Sequence, residues 1–290
     1  MKDEELEITG KYIEFEGIKF PDNVHTHESL TWAFKEFEVR DDDVFNVTYP
    51  KSGTTWLQEI LSLIYSNGDP TPVKTQFSWD RVPWLEQHRA RNKLENRPSP
   101  RLITTHVPRH IFPQSFDKSK AKVIYTIRNP KDVCVSLYYF ALIAQFMESR
   151  EDFQDFISLF LSKNTLFGRW FEHVKEWLTM KDNPNFLILS YDSMIKDLKS
   201  NVVKICKFLG KDLDDAAIDS VVEHSSFKAM KENNMSNYSA VPNNIFDKQK
   251  GTFHRKGISG DHMNHFTPAQ EEEFERIYKE CMKEVDLTFL

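Results

Sequence analysis

The chain reads as an α/β protein, a single domain over residues 1–290 built on a central parallel β-sheet flanked by helices. Three observations predict this. Runs of β-branched and aromatic residues alternate with runs whose apolar residues recur at helical spacing, the order expected of a parallel sheet with helical crossovers. Asn185 to Tyr191 is near-continuously apolar, as in a strand covered on both faces. Val44 to Thr48 passes through a short Pro/Gly-containing loop into the helical pattern Trp56, Leu57, Ile60, Leu61 and Ile64.

That strand, loop and helix organise the rest. A loop at this position leaves N–H groups of the first helical turn free at the positive end of the helix dipole, which suits an anion. In Tyr49-Pro50-Lys51-Ser52-Gly53-Thr54-Thr55, Lys51 adds a cation and Ser52, Thr54 and Thr55 add hydroxyls. The stretch departs from GxxxxGK[ST], since the lysine precedes the glycine, and a nucleoside triphosphatase is therefore disfavoured. A plain turn with a solvated Lys51 is the competing reading.

Composition narrows the partners. With 40% hydrophobic and 28% charged residues the chain is an ordinary globular one, and its net charge of −6 argues against nucleic acid or an anionic membrane. No apolar run is long enough to span a bilayer. The acidic start, Met1 to Glu7, has no signal-peptide core, and Cys134, Cys206 and Cys281 are odd in number and far apart, as for reduced thiols. A cytoplasmic protein is expected.

In chain order, the aromatics Tyr12, Phe15, Phe20, Trp32, Phe34 and Phe37 are expected to cover one end of the sheet, and Arg40 to Asp43 turns into the central strand. Asn67-Gly68-Asp69-Pro70 stops the first helix, and Thr71 to Pro100 follows as a long loop with short helical pieces, a candidate lid. Arg101 to Pro108 is a second strand with His106 near its end. Strand ends beside a phosphate-type loop are where α/β sheets do chemistry, so His106 is a candidate general base, with a structural histidine as the alternative. Lys122 to Arg128 is a third strand, followed by Asn129 as N-cap and Pro130 at N1. Arg128 at that strand end is either a phosphate contact or a surface ion pair. Ser136 lies two turns into the helix, whose apolar stripe is Val133, Leu137, Phe140 and Ala144.

Glu151 to Met180 carries two amphipathic helices, and their aromatics, with Leu166 and Phe167 opening the second, are read as core. Asn185 to Tyr191 is the fourth strand. Helices follow from Leu198 to Leu209, stopped by Gly210, and from Asp214 to His224. The polar segment Met235 to Phe253 leads to Arg255-Lys256-Gly257, a solvated patch or the cradle of a second phosphate. Thr267-Pro268 starts a last helix bearing Phe274, Ile277, Tyr278 and Cys281. No clustered His/Cys set invites a metal.

Taken together, these motifs resemble the cytosolic sulfotransferase family. The resemblance covers nearly the whole chain, through Thr48 to Trp56, Arg128-Asn129-Pro130-Lys131-Asp132, Phe167-Gly168-Arg169-Trp170-Phe171, Met235-Ser236-Asn237-Tyr238 and Arg255 to Asp261. It implies 3′-phosphoadenylyl sulfate (PAPS) as sulfuryl donor, 3′-phosphoadenosine 5′-phosphate (PAP) as product, no metal, and a P-loop-like phosphosulfate-binding loop. By matching position, Lys51, Ser52, Gly53, Thr54 and Thr55 would hold the phosphosulfate, and Trp56, Tyr191, Ser225, Phe227 and Met230 the adenine. Arg128, Ser136, Arg255, Lys256 and Gly257 would hold the 3′-phosphate. His106 would be the base, with Lys51 and Ser136 completing the catalytic set.

Phe15 to Pro21, Trp79 to Trp84 and Ser236 to Ser239 look most like the hydroxysteroid or alcohol branch, family 2. That implies an acceptor pocket for a hydroxysteroid, sterol, bile alcohol or similar molecule, lined by Phe20, Trp79, Trp84, His106, Tyr139, Phe140 and Tyr238, although any of these aromatics could be core. Ala141 stands where steroid-type relatives often carry a bulky aromatic, and Thr104-Thr105 before His106 is also a departure. Met263 and Pro268 replace the lysine and valine of the family's dimer motif, so monomer and homodimer both stay open. A phenol or amine acceptor keeps the same donor chemistry, and a non-catalytic binder of nucleotide or hormone would need no base beside Lys51.

Overall fold

The computed structural model describes residues 12–162, 164–285 and 287; the acidic stretch at residues 1–7 lies outside them. The described chain opens with a hairpin that the sequence reading did not anticipate. Strands β1 (Tyr12–Phe15) and β2 (Ile18–Pro21) pair antiparallel across Glu16 and Gly17, at φ 49° and 77°. Two positive-φ residues make the tight turn whose twist matches its strands. Four-residue strands with a glutamate in the turn carry too little alternation to be seen in advance.

The central sheet is β3 (Val44–Thr48), β4 (Leu102–Thr105), β5 (Lys122–Ile127) and β6 (Phe186–Ser190), all parallel, in the spatial order β4-β3-β5-β6. Alternation along β3 and β5 sorts the two cores. Phe45, Val47, Val123 and Tyr125 face an aromatic layer, while Val44 and Ile124 face an aliphatic one. The aliphatic layer comes from α1 (Thr54–Tyr65), which follows β3 as expected.

The connection from Thr71 to Pro100 contains three short helical pieces, at Thr71–Thr75, Ser78–Arg81 and Ala90–Leu94. Helix α2 (Pro130–Ile143) starts at Pro130, with the Asn129 side chain accepting from the Lys131 N–H at 2.9 Å. Helices α3 (Phe153–Leu161) and α4 (Trp170–Leu178) bury Phe156, Phe160, Phe171 and Trp177 against the aromatic face. The second of these was expected to begin near Leu166 and begins at Trp170. Phe167 and Gly168 sit at φ 59° and 76°, and two successive left-handed residues cannot continue a helix.

Beyond β6, α5 (Leu198–Leu209) ends at Gly210 with φ 70°, and α6 (Asp215–His224) packs beside it on the aliphatic face. The short α7 (Phe227–Glu232) and the final α8 (Pro268–Met282) complete the fold, α8 starting in a capping box of Thr267 and Gln270. Strand β6 is an edge strand, so Leu187 and Ile188 are only half-buried, whereas the sequence pattern suggested full cover. Cys134, Cys206 and Cys281 are free thiols. Among the described residues no helix is long and apolar enough to cross a membrane.

The entry edge of the sheet is pinned by a buried ion pair. Arg101, just before β4, reaches Asp43, just before β3, through Nη2–Oδ2 at 2.5 Å and Nε–Oδ1 at 2.8 Å, with both side chains at most 3% exposed. The same guanidinium donates to the Glu38 carbonyl and lies over the Phe37 ring. Asp43→Ala would leave that cation buried without its counter-charge, and a loss of about 3–5 kcal/mol in urea unfolding is expected. A loss below about 1 kcal/mol, the scale of an exposed pair, would mean that the pair does not hold the two strands in register.

Candidate active site

The four parallel strands all deliver their next residues to one edge. Lys51 lies three residues past β3, His106 one past β4, Arg128 one past β5 and Tyr191 one past β6. The register Val47↔Thr105, Thr48↔Thr126 and Ile127↔Ser190 keeps these ends level. This is the carboxyl edge at which open α/β sheets bind ligands.

In the loop after β3, Lys51 at φ 68° and Gly53 at φ 101° turn the backbone sharply into α1. A Cβ at Gly53 would meet the Tyr191 ring at 3.0 Å, so glycine is required by both conformation and space. Gly53 is also the N-cap of α1 and offers no side-chain cap, which leaves the first-turn N–H groups uncapped by it. Underneath, Asn46 Nδ2 donates to the Thr54 carbonyl at 3.0 Å, and the Thr48 and Thr54 hydroxyls lie 2.6 Å apart. The strand thus holds the start of the helix rigidly.

Arg128 and Lys51 are restrained by neutral groups, Arg255 and Lys256 by a carboxylate. Arg128 donates from Nη1 to the Lys51 carbonyl at 2.8 Å and from Nη2 to the Ile258 carbonyl at 3.1 Å, and it stacks on Tyr191 at 4.2 Å. Lys51 Nζ lies over Phe140 at 4.2 Å and Phe253 at 4.4 Å. Burial, followed by the charges of Arg128 and Arg255, pushes this ammonium down to about 7. Among the described residues it has no hydrogen bond to Ser136. Arg255 and Lys256 share Asp261, each at 2.6 Å, and Asp132 accepts from the Gly260 N–H, the His262 N–H and His262 Nδ1. A Cβ at Gly257 would fall 2.1 Å from Phe227, so the loop's backbone lies directly on that ring.

His106 is 9% exposed, and three of its polar atoms are committed. Its N–H donates to Glu86 Oε1 at 3.0 Å, its carbonyl lies 3.1 Å from His173 Nε2, and its Nδ1 is 2.7 Å from the Thr48 carbonyl. A carbonyl only accepts, so Nδ1 carries the proton and the lone pair is on Nε2. Trp84 and Phe167 flank the ring at 4.5 and 5.1 Å between centroids. Burial, little offset by the Thr48 contact, pushes this imidazole down to about 3.

One cavity joins these parts. Lys51, Gly53, Thr54, Thr55, Trp56, Arg128, Ser136, Tyr191, Phe227, Met230, Arg255, Lys256 and Gly257 all line it, with Trp84, His106, Phe140 and Tyr238. Five residues from the sequence reading do not. Ser52 is buried beneath the loop with its hydroxyl unpartnered, and Ser225 donates its hydroxyl to the Val221 carbonyl at 2.6 Å. Phe20 is fully buried against Phe167, Trp79 stacks on Phe77, and Tyr139 lies under the Arg255 guanidinium. In exchange the wall includes His25, Glu86, Phe146, Met147, Leu166, Phe167, Phe246, Phe253 and His254. Leu166 and Phe167 were read as core only. The signal for Phe167 was the glycine after it, a residue that weakens a helix at that point.

The sheet edge thus brings the loop after β3, a cluster of cations and a histidine with a free Nε2 lone pair onto one cavity, the layout of a group-transfer enzyme. The model of the sulfotransferase domain matches residues 41–286, and the chain belongs to that family. A 3-beta-hydroxysteroid sulfotransferase of Cavia porcellus is 51% identical over 268 residues, 92% of this chain and 93% of that protein. Sulfotransferase 2B1 of Rattus norvegicus is 47% identical over 95% of this chain and 81% of its own length. Among solved structures, mouse sulfotransferase SULT7A1 complexed with PAP aligns with a TM-score of 0.79 at 30% identity, covering 95% of this chain and 96% of that one. Retinol dehydratase in complex with androsterone and inactive cofactor PAP shares the fold, with a TM-score of 0.83 at 24% identity over 96% and 91% of the two chains.

Glu86 allows a test of this geometry. It is fully buried, and desolvation pushes its carboxyl up from 4.5 to about 7. The folded state then binds more protons than the unfolded one between those pH values, so this group's contribution falls as pH rises through the window. Relative to Glu86→Gln, wild type is expected to lose on the order of 3 kcal/mol between about pH 4.5 and 7. Parallel urea-unfolding stabilities for the two proteins across that range would overturn the assignment.

Proposed function

We propose that this enzyme transfers the sulfuryl group of PAPS to a hydroxyl of a hydrophobic alcohol of the hydroxysteroid kind. The observation that carries the reading is the shared cavity, in which the anion loop and three cations meet His106 and an apolar wall. The identity to steroid sulfotransferases and the PAP named in the related structures support the same substrates. The donor also suits the residues. Trp56 Nε1 and Arg128 Nε, on two residues of the cavity wall, are buried without partners, an arrangement that a polyanion with a purine can satisfy.

In the mechanism, His106 Nε2 takes the acceptor's hydroxyl proton while the acceptor oxygen forms its bond to sulfur. The bond from sulfur to the bridging phosphate oxygen breaks, and Lys51 neutralises the charge that gathers there. Loop N–H groups at the start of α1 hold the sulfuryl oxygens, and Arg128, Arg255 and the Gly257 loop anchor the nucleotide's far phosphate. Thr48 fixes the tautomer and Glu86 the backbone of His106. Trp84 and Phe167 exclude water from the imidazole. Ser136, on the cavity wall, is a second partner for Lys51 once the ammonium leaves the Phe140 and Phe253 rings.

His106→Ala is expected to lower kcat by about 10²–10⁴-fold while PAP binding persists. Because His106 is held below its ordinary 6.5, the acid limb of kcat/KM should lie below pH 6.5. Activity falls as the imidazole becomes protonated. A donor assay with a hydroxysteroid, a simple phenol and an amine tests the acceptor class. Transfer to the phenol or amine alone would overturn it, and an active His106→Ala enzyme would overturn the base.

A further inference from the structure

A second buried histidine on the cavity wall is not used by this reaction. His25 is 3% exposed and packs on Phe20 and Phe167 with ring centroids 5.3 and 5.8 Å away. Its Nδ1 lies 2.9 Å from the Pro21 carbonyl and therefore carries the proton, so Nε2 holds a lone pair. That Nε2 is buried and has no partner. Desolvation pushes the imidazole down to about 4, and His88 adds a smaller effect in the same direction, so the ring is neutral near pH 7 and Nε2 can only accept.

An orphaned buried acceptor costs about 1–3 kcal/mol, and a phenylalanine would fill the same aromatic niche without that penalty. His25 also repeats the arrangement of His106: each ring gives Nδ1–H to a backbone carbonyl, keeps Nε2 free, and touches the Phe167 ring. Their common contact with Phe167 places the two rings on one stretch of the cavity wall.

We infer that His25 Nε2 is a specificity subsite that accepts a hydrogen bond from a second hydroxyl of the acceptor, carried near the hydroxyl presented to His106. The preferred acceptor is then a hydrophobic diol whose two hydroxyls lie at one end of the skeleton. This rests on the acceptor reading above and deepens it.

The test compares a monohydroxy steroid with two dihydroxy counterparts, one with the second hydroxyl on the same ring and one with it at the far end. Dissociation constants are read from intrinsic tryptophan fluorescence with PAP present, alongside kcat/KM with PAPS. Wild type should prefer the near diol over the monohydroxy steroid by about three- to tenfold. His25→Phe should abolish that ratio, and His25→Gln, which retains an acceptor oxygen, should keep part of it, with thermal melting by circular dichroism confirming that both variants are folded. The inference is overturned if wild type shows no near-diol preference or if His25→Phe leaves the ratio intact. Because binding is read without turnover, a preference seen in binding with no transfer to any steroid supports the subsite and removes only the transfer reading; transfer without the preference removes only the subsite.

Discussion

The parallel register of four strands is the constraint on which the site depends. A strand emits its next residue wherever its ladder ends, and hydrogen bonds to the neighbouring strands fix that end point. Since β3, β4, β5 and β6 finish level, an ammonium, an imidazole, a guanidinium and a phenol from positions 51 to 191 converge without any of them being close in sequence. The buried Arg101–Asp43 pair works at the opposite edge, where it ties the starts of β3 and β4.

Electrostatics then decides how the site waits for its ligand. Lys51, Arg128 and Arg255 repel one another, and the fold opposes that repulsion with aromatic faces, backbone carbonyls and the carboxylates of Asp132 and Asp261. Asp261 is held well below the usual carboxylate range by Lys256, Arg255 and Asn264, despite the opposing effect of burial. Lys51, Arg128, Arg255 and Lys256 on the cavity wall outnumber Asp132 and Asp261, which favours an anion, and low-dielectric walls strengthen the field. Lys51 is the most responsive member, since its depressed ammonium regains its proton as negative charge arrives.

Most of the fold was legible because its elements carry strong local signals. The helix ending at Gly210 and the N-cap at Asn129 were both readable from a few adjacent residues. That Lys51, Gly53 to Trp56 and Arg255 to Gly257 line one cavity was legible for a related reason: they sit in contiguous motifs. Ser52 and Ser225 depart from that pattern because their side chains turn into the protein, a matter of one rotamer that a motif cannot reveal. The aromatic part of the cavity wall was much less legible. Trp79 and Trp84 stand five residues apart in one loop, yet one stacks on Phe77 and the other lies against His106 at a tilt of 54°.

By itself, the sequence determined the α/β class, the anion loop, the histidine and the family, because periodicity, capping and contiguous motifs are properties of neighbouring residues. Tertiary structure alone decided which aromatics line the cavity, how Lys51 is parked, and that His25 and Glu86 reach the cavity with unpartnered atoms. Those outcomes depend on contacts between residues distant in the chain. They turn on side-chain direction and local dielectric, which exist only after the layers have packed.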